Sequence, residues 1–403
     1  MDRLVIIDYY LAAEGGHHEV YDYSIAREAV RRGKKVEVLS PSRQSGEKPA
    51  FLEECLDRRT RLRRLAEKMP FGISYVLKTA LHTAEMRTIF RTRKFDEKTV
   101  VLFQTVDRLF PLSFCLATAF MKPRARVVVI LRRGIRDHYE SDSPFIARLK
   151  SAVHDPFMRL IHRWKNVVFC SDSNIITDEL HRDGFDDAVT FPIPHLPPRQ
   201  PLKKKGRKTI VGFWGGARFE KGFDLLPDII EDVIKRSPKH VFKVHNYAHG
   251  VKYLHQSSSV VQVAQERMQT LKKKHPKNIL IISRYLSDAD YAKEMGSCDI
   301  VLIPYRRELY GGGTSGILAE GIAFGEWIVV PDKTWMSDQA RRYGKISIFR
   351  KFDAASIADA VLRCTNGVQS ASGKRLNAQI SEWYYFHSQR RYVTLLESLS
   401  AGI

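Results

Sequence analysis

The chain lacks several features that would assign it at once to a simple class. Only 5 of its 403 residues are cysteines, and none lies in a CxxC or Cys/His spacing that binds zinc. The odd number argues against a disulfide framework, so a reducing cytoplasm is the simplest setting. The longest strongly apolar run, Leu109 to Met121, contains Pro111 and is shorter than the roughly 20 residues of a membrane span. A strand pattern begins at Leu4, and no signal peptide is visible.

Acidic residues are scarce relative to basic ones. The chain carries 45 Asp and Glu against 66 Lys and Arg, which gives a formal charge of +21. Such an excess predicts an anionic partner, which could be nucleic acid, anionic lipid or a phosphorylated substrate. The length predicts two domains, and the 44% of hydrophobic residues is typical of a globular protein.

Positive charge is densest between residues 55 and 95. Apolar side chains such as Ile73, Val76 and Met86 are interleaved with the basic ones. A segment of this kind can lie in the interface of an anionic membrane. It can equally be an ordinary helix pair with a solvated basic face, and the sequence leaves both interpretations open.

Strand and helix patterns alternate along the whole chain, which predicts doubly wound parallel sheets. The first strand is followed by Gly15 and Gly16, although the GxGxxG dinucleotide fingerprint is absent. A proline-rich stretch followed by consecutive lysines predicts a linker. The expected organisation is an N-terminal domain over residues 1–191, a linker over 192–207, a C-terminal domain over 208–375 and a closing helix over 376–403 that crosses back to the first domain.

A glycine-rich loop in the second half follows the apolar strand Ile300 to Pro304 and precedes a helix starting near Ile317. In an open parallel sheet such a loop lies at the carboxyl ends of the strands, where ligands bind. Glycine permits close backbone approach, and free N–H groups at a helix start favour an anion. We therefore predict a phosphate-bearing ligand there, with Glu320 placed to hold hydroxyl groups. The loop residues assigned to this ligand are Gly312, Gly313, Thr314, Ser315 and Gly316.

A second glycine loop, with Gly215 and Gly216, is followed by Arg218 and Lys221 before a predicted helix. Cations at a helix N-terminus oppose the helix dipole, so the pair calls for a compensating anion such as a diphosphate. A surface ion pair with Glu220 or Asp224 is the plainer alternative. The later sequence Asp288-Ala289-Asp290 follows Ser287, and a helix cap is favoured there over a metal site. We predict no metal and no required cofactor.

These motifs resemble a known family. The stretch GGARFEKGFDLL, the segment from Leu286 to Pro304 and the segment from Gly313 to Val330 are similar to the donor-binding half of family-4-type glycosyltransferases with the GT-B fold. The first half is similar too, through Gly15-Gly16 and through Cys170 to Leu180.

The resemblance implies two Rossmann-like domains facing a cleft and a metal-independent, retaining transfer of a sugar. It implies that Arg218 and Lys221 act in catalysis by binding the departing nucleotide diphosphate, with Gly216 at the family's usual arginine position. Four further glycines are assigned to the donor site, namely Gly15, Gly16, Gly215 and Gly216. Glu320 matches the second of two family glutamates, which holds the ribose, and Gly312 stands at the first. It also suggests acceptor-binding roles for residues of the first domain: His17, His18, Arg132, Arg133 and His138.

Our hypothesis is a cytoplasmic glycosyltransferase that moves a sugar from a nucleotide sugar to a glycan or a lipid-linked acceptor. Polysaccharide or glycolipid synthesis at the inner face of the plasma membrane would use the basic segment 55–95. One alternative is a nucleotide-sugar epimerase on the same fold. Another is a basic nucleic-acid-binding protein without catalysis, which no recognition motif supports, so no nucleic-acid partner is expected.

Overall fold

A computed structural model gives the structure of the chain. It describes residues 1–11, 17–41, 48–56, 62, 65–66, 68–107, 109–119, 124–133, 156–194, 196–197, 208–246, 259–367 and 373–401. Two compact units are present, one formed by residues 1–195 with 387–403 and the other by residues 196–386.

The first unit contains a six-stranded parallel sheet in the order β3-β2-β1-β4-β5-β6. Its strands are β1 (Arg3–Ile7), β2 (Lys35–Pro41), β3 (Leu52–Leu56), β4 (Thr99–Phe103), β5 (Arg126–Leu131) and β6 (Val167–Ser171). The central strands are continuous apolar runs because helices cover both faces of the sheet. Along β1, Val5 and Ile7 join one core cluster while Leu4 and Ile6 join another, which places a core on each face.

The second unit contains another six-stranded parallel sheet, in the order β12-β11-β10-β7-β8-β9. Its strands are β7 (Thr209–Phe213), β8 (His240–His245), β9 (Ile279–Ile282), β10 (Ile300–Leu302), β11 (Trp327–Pro331) and β12 (Lys345–Phe349). Read from its own first strand, this order repeats that of the first sheet. The order reverses between β1 and β4 in one sheet and between β7 and β10 in the other, and ligands bind at such switch points.

Helices interleave with the strands in both units. They are α1 (His17–Arg31), α2 (Phe71–Thr92), α3 (Phe110–Thr118), α4 (Asn174–Arg182), α5 (Leu226–Arg236), α6 (Ser259–Lys274), α7 (Asp288–Met295), α8 (Arg307–Tyr310), α9 (Gly316–Ala323), α10 (Trp335–Tyr343), α11 (Ala354–Gly367), α12 (Gly373–Phe386) and α13 (Gln389–Ala401). The doubly wound fold predicted from the alternation of strands and helices is confirmed.

The C-terminal region is two helices where the sequence predicted one. Helix α12 packs against α9 and α10 in the second unit, and α13 packs against α1, β4 and β5 in the first. The break falls at His387, whose ring accepts a hydrogen bond from the backbone N–H of Ile193 at 2.9 Å. The chain thus returns to the first unit, as predicted, and Tyr392 anchors it there by a hydrogen bond to Gln104 at 2.5 Å.

Candidate functional site

The candidate site of the second unit lies at the switch point between β7 and β10. Gly222 has a left-handed φ of 72°, and a Cβ added to it would lie 2.0 Å from the carbonyl oxygen of Pro304. Pro304 follows β10, so the turn that carries Lys221 is pressed against the carboxyl end of that strand. Glycine is required at this position both by the backbone conformation and by the close approach.

Lys221 ends a 3₁₀ turn, Phe219–Lys221, rather than lying at the start of a regular helix. A second 3₁₀ turn follows, and α5 begins only at Leu226, because the left-handed Gly222 interrupts the helical path. The Lys221 amine lies 5.2 Å from the centroid of the Tyr305 ring. A Cβ on Gly215 would lie 2.8 Å from Cδ of Lys221, so this glycine leaves room for the lysine stem.

Burial governs the charge of this lysine. Removal from water, together with the positive charge of Arg218, lowers the pKa of Lys221 to about 7, although Glu220 and Glu320 act to raise it. The amine is therefore about half protonated at neutral pH when no ligand is bound. An anion placed beside it would favour the charged form and would gain a charge-assisted hydrogen bond in return.

Glu320 lies within α9 and accepts a hydrogen bond from the Tyr291 hydroxyl at 3.0 Å. Burial raises the pKa of Glu320 to about 7; the hydrogen bond from Tyr291 acts to lower it, and the charge of Asp288 to raise it. Helix α9 is capped by Ser315, whose hydroxyl accepts from the Leu318 N–H at 3.3 Å. The carboxyl group is thus held on a fixed helix, close enough to Lys221 for each to influence the other's pKa.

Arg218 forms an ion pair with Glu220 at 3.4 Å, and its side chain is 38% exposed. The alternative partner, Asp224, is engaged by Arg306 at 2.6 Å. The Arg306 guanidinium also stacks 3.7 Å from the centroid of Phe219, which holds the 3₁₀ turn in place. The surface ion pair considered from the sequence therefore exists for Arg218, and it leaves the guanidinium open to solvent.

The glycine-rich loop of residues 312–316 leads directly into α9. Gly312, Gly313 and Thr314 are partly exposed, whereas Ser315 is buried and caps α9, and Gly316 is the first helical residue. Upstream, the Gly311 carbonyl accepts from the Trp335 N–H at 2.8 Å. Of the predicted loop residues, Ser315 has a structural role, because its hydroxyl accepts the hydrogen bond from the Leu318 N–H.

The first unit collects a second polar cluster where its strands end. The Asp8 carboxylate, after β1, is 2.7 Å from Nδ1 of His18. Arg132, after β5, pairs with Asp172, after β6, at 3.0 Å. Burial acts to lower the pKa of Arg132, but Asp172 and neighbouring groups outweigh it and the pKa is raised. Two predicted acceptor residues, His18 and Arg132, are thereby brought to one edge of the sheet.

The other predicted acceptor residues are less informative. His138 lies outside the described residues, as do Gly15 and Gly16, which were predicted to bind the donor. His17 begins α1, and Arg133 is exposed.

Three buried carboxyl groups at this edge were not predicted from the sequence, namely Asp8, Asp22 and Asp172. Burial, and then the charge of Asp8, raise the pKa of Asp22 well above its ordinary value, which favours the neutral acid. Asp8 and Asp172 could have been found, since each directly follows an apolar strand and the carboxyl ends of parallel strands meet at one edge. Asp22 is inside α1 and carries no such signal.

Across the described ranges, no group of three or more His, Cys, Asp or Glu side chains is arranged to hold a metal ion. Nor does any helix among these residues have the length and apolar character needed to cross a membrane.

No family model and no curated protein matches the chain. Solved structures do match its fold over essentially the whole length. A trehalose-6-phosphate synthase, OtsA, gives a TM-score of 0.73 at 11% identity, covering 100% of this chain and 99% of the other. A UDP-forming α,α-trehalose-phosphate synthase from Burkholderia xenovorans, in complex with glucose-6-phosphate, gives 0.69 at 11% identity with 99% and 100% covered. A glycosyltransferase from Rickettsia africae gives 0.67 at 12% identity with both chains fully covered. The predicted two-domain GT-B fold is confirmed.

Proposed function

We propose that the chain is a glycosyltransferase that takes a sugar from a nucleotide sugar and passes it to a glycan or a lipid-linked acceptor. The observation that carries the proposal is the partly desolvated amine of Lys221 beside Glu320 at the β7–β10 switch point. The Lys221 amine is about half protonated when the site holds no ligand, and glycines beside it leave room for a ligand. Such a site suits a diphosphate, which would stabilise the charged amine. The shared fold supports this, since one of the similar structures is a UDP-forming synthase.

The roles follow from the chemistry of each group. Lys221 and Arg218 would hold the two phosphates and stabilise the charge that develops as the nucleotide diphosphate departs. Glu320, held by Tyr291, would accept hydrogen bonds from ribose hydroxyls. Because two protein cations face the diphosphate, the reaction would proceed without a metal ion and, following the family-4 resemblance, with retention at the anomeric carbon.

The acceptor would bind to the first unit. The buried carboxylates of Asp8 and Asp172 would orient His18 and Arg132, whose side chains are partly accessible. These two side chains would donate hydrogen bonds to acceptor hydroxyl groups. This polar edge suits a hydroxyl-rich glycan, and the reaction would belong to polysaccharide or glycolipid synthesis in the cytoplasm, at the inner face of the plasma membrane.

Thermal-shift screening of nucleotide sugars, starting with UDP sugars, tests the donor site. A donor at ~100 times its dissociation constant should stabilise the protein by about 2.7 kcal/mol. Lys221→Ala and Glu320→Ala should lose this shift, while the exposed matched controls Lys235→Ala and Glu266→Ala should keep it. Equal shifts in all four variants would remove the assignment.

A second assay separates transfer from epimerisation. Purified protein is given the donor that passes the screen, with and without a glycan or lipid-linked acceptor, and the released nucleoside diphosphate is measured. A transferase releases it in step with acceptor glycosylation. Conversion of the donor to another nucleotide sugar with no acceptor present would indicate an epimerase instead.

A further inference from the structure

Helix α2 divides the apolar residues of the basic segment into two groups. In its C-terminal half Met86, Ile89 and Phe90 are buried and belong to the core of the first unit. In its N-terminal half Ile73, Val76 and Leu77 face solvent. Packing against the core thus explains the apolar residues at the C-terminal end of the helix, but it does not explain the exposed ones at the N-terminal end.

The exposed residues form one stripe. Ile73 is 53% exposed, Val76 65% and Leu77 37%, and Ala80 is exposed as well. Their spacing of three, one and three residues places them on a single helix face. Of the fourteen large hydrophobic residues found exposed among those described, five lie between residues 62 and 77. Such a concentration marks an interaction surface rather than scattered surface residues.

The same face becomes basic further along. Arg87 and Arg91 continue the stripe at helical spacing and are exposed. Lys68 is exposed just before the helix. Within α2 three cations stand against a single acid, Glu85. The stripe therefore combines apolar side chains with a local excess of positive charge.

The apolar half of α2 is next to the edge where the strands of the first sheet end. The ring of Tyr9, which follows β1, lies 4.5 Å from the ring of His82. Burial raises the pKa of Tyr75, and the charge of Asp107, which follows β4, raises it further. The exposed stripe is thus adjacent to the polar edge that contains Asp8.

We propose that the α2 stripe, formed by Ile73, Val76, Leu77 and Ala80, docks on an anionic lipid bilayer. Apolar side chains would enter the headgroup region while Arg87 and Arg91 face lipid phosphates. A second copy of this chain is a poorer occupant because two surfaces of a protein with a formal charge of +21 repel each other. The proposal depends on the proposed function only in that a lipid-linked acceptor would then be presented beside the polar edge.

Vesicle flotation of the full chain tests the proposal, with phosphatidylcholine vesicles prepared with and without phosphatidylglycerol. Wild type should float with the anionic vesicles and weakly or not at all with the neutral ones. Ile73→Asp/Val76→Asp should lower the partition coefficient on the order of tenfold or more. The control is Val260→Asp/Val263→Asp, which changes two valines on α6 that have the same spacing and are 50% and 54% exposed. It should bind like wild type.

Circular dichroism confirms folding, and Ile73→Ser/Val76→Ser replaces the first variant should the aspartates disturb the helix. Absence of wild-type binding to anionic vesicles, or undiminished binding of the α2 variant, would overturn the proposal. The proposal would also be overturned if wild type formed a dimer in solution, the α2 variant were monomeric and neither protein bound vesicles. The nucleotide-sugar thermal shift is measured on the same samples, so failure to bind vesicles is distinguishable from failure of the donor site.

Discussion

If Lys221 holds the diphosphate as proposed, donor binding depends on pH in a predictable direction. A pyrophosphate diester has no proton to lose near neutrality, so the titration belongs to the protein. In the free site the pKa of Lys221 is about 7. A bound diphosphate stabilises the ammonium form and raises that pKa, so binding takes up a proton whenever the free amine is neutral. Donor affinity should therefore fall as pH rises through 7.

The magnitude follows from the protonated fraction. With a free-site pKa of about 7, this fraction drops from about 0.9 at pH 6 to about 0.1 at pH 8. If the bound pKa lies well above 8, the affinity falls about tenfold over this range, which is about 1.4 kcal/mol. Glu320 also ionises near pH 7, so its titration must be removed before the lysine contribution can be measured.

Isothermal titration calorimetry measures both the affinity for the donor and the proton uptake on binding. It is carried out at pH 6, 7 and 8, which bracket that pKa, in buffers of different ionisation enthalpy. Lys221→Arg keeps its charge throughout and should lose the lysine part of the slope. Lys221→Met should bind weakly at every pH, and Glu320→Gln isolates the lysine titration. A Glu320→Gln protein whose affinity is the same at pH 6 and pH 8, or equal slopes in wild type and Lys221→Met, would refute the reasoning.

Three further predictions concern stability and geometry. The pKa of Glu320 in the folded protein is raised to about 7, so its ionisation destabilises the empty protein as pH rises above the pKa that Glu320 has in the unfolded chain. Glu320→Gln should therefore add about 1–3 kcal/mol to the free energy of unfolding at pH 8, measured by thermal melting. Unchanged stability at pH 8 would contradict this prediction. Gly222→Ala should lower the free energy of unfolding by about 3 kcal/mol or more, measured in urea. The control is Gly33→Ala, since Gly33 has a φ of 76° but a Cβ there would meet nothing within 4 Å, and it should cost only about 1–2 kcal/mol. Equal losses in the two variants would show that the close contact of Gly222 with Pro304 is unimportant. Gly215→Ala should displace the Lys221 stem and weaken donor binding with little change in melting temperature, and normal affinity would argue against the packing described.

The sheets were predictable because buried parallel strands are continuous apolar runs bounded by turns. Strand β12 (Lys345–Phe349) and helix α6 (Ser259–Lys274) were not predicted. Lys345 and Ser347 interrupt the apolar pattern of β12, and α6 has few apolar residues. Strand β3 (Leu52–Leu56) lies in a segment whose sequence pattern is less regular, since two glutamates interrupt its apolar residues.

The site was predictable only in part. Glycine loops and cations after a strand pointed to Lys221 and Glu320, which the fold brings close together. Their surroundings come from distant parts of the chain: Tyr291 precedes Glu320 by 29 residues, and the Tyr305 ring is supplied by the segment after another strand. Burial, which sets both pKa values, is a property of the packed unit and has no local signature in the sequence.

A crystal structure of the chain with a bound UDP sugar tests the donor assignment most directly. We expect the diphosphate within about 3 Å of the Lys221 amine, beside Gly222, with a ribose hydroxyl on Glu320. A diphosphate bound away from Lys221, or a saturating nucleotide sugar that leaves this switch point empty, would contradict the assignment.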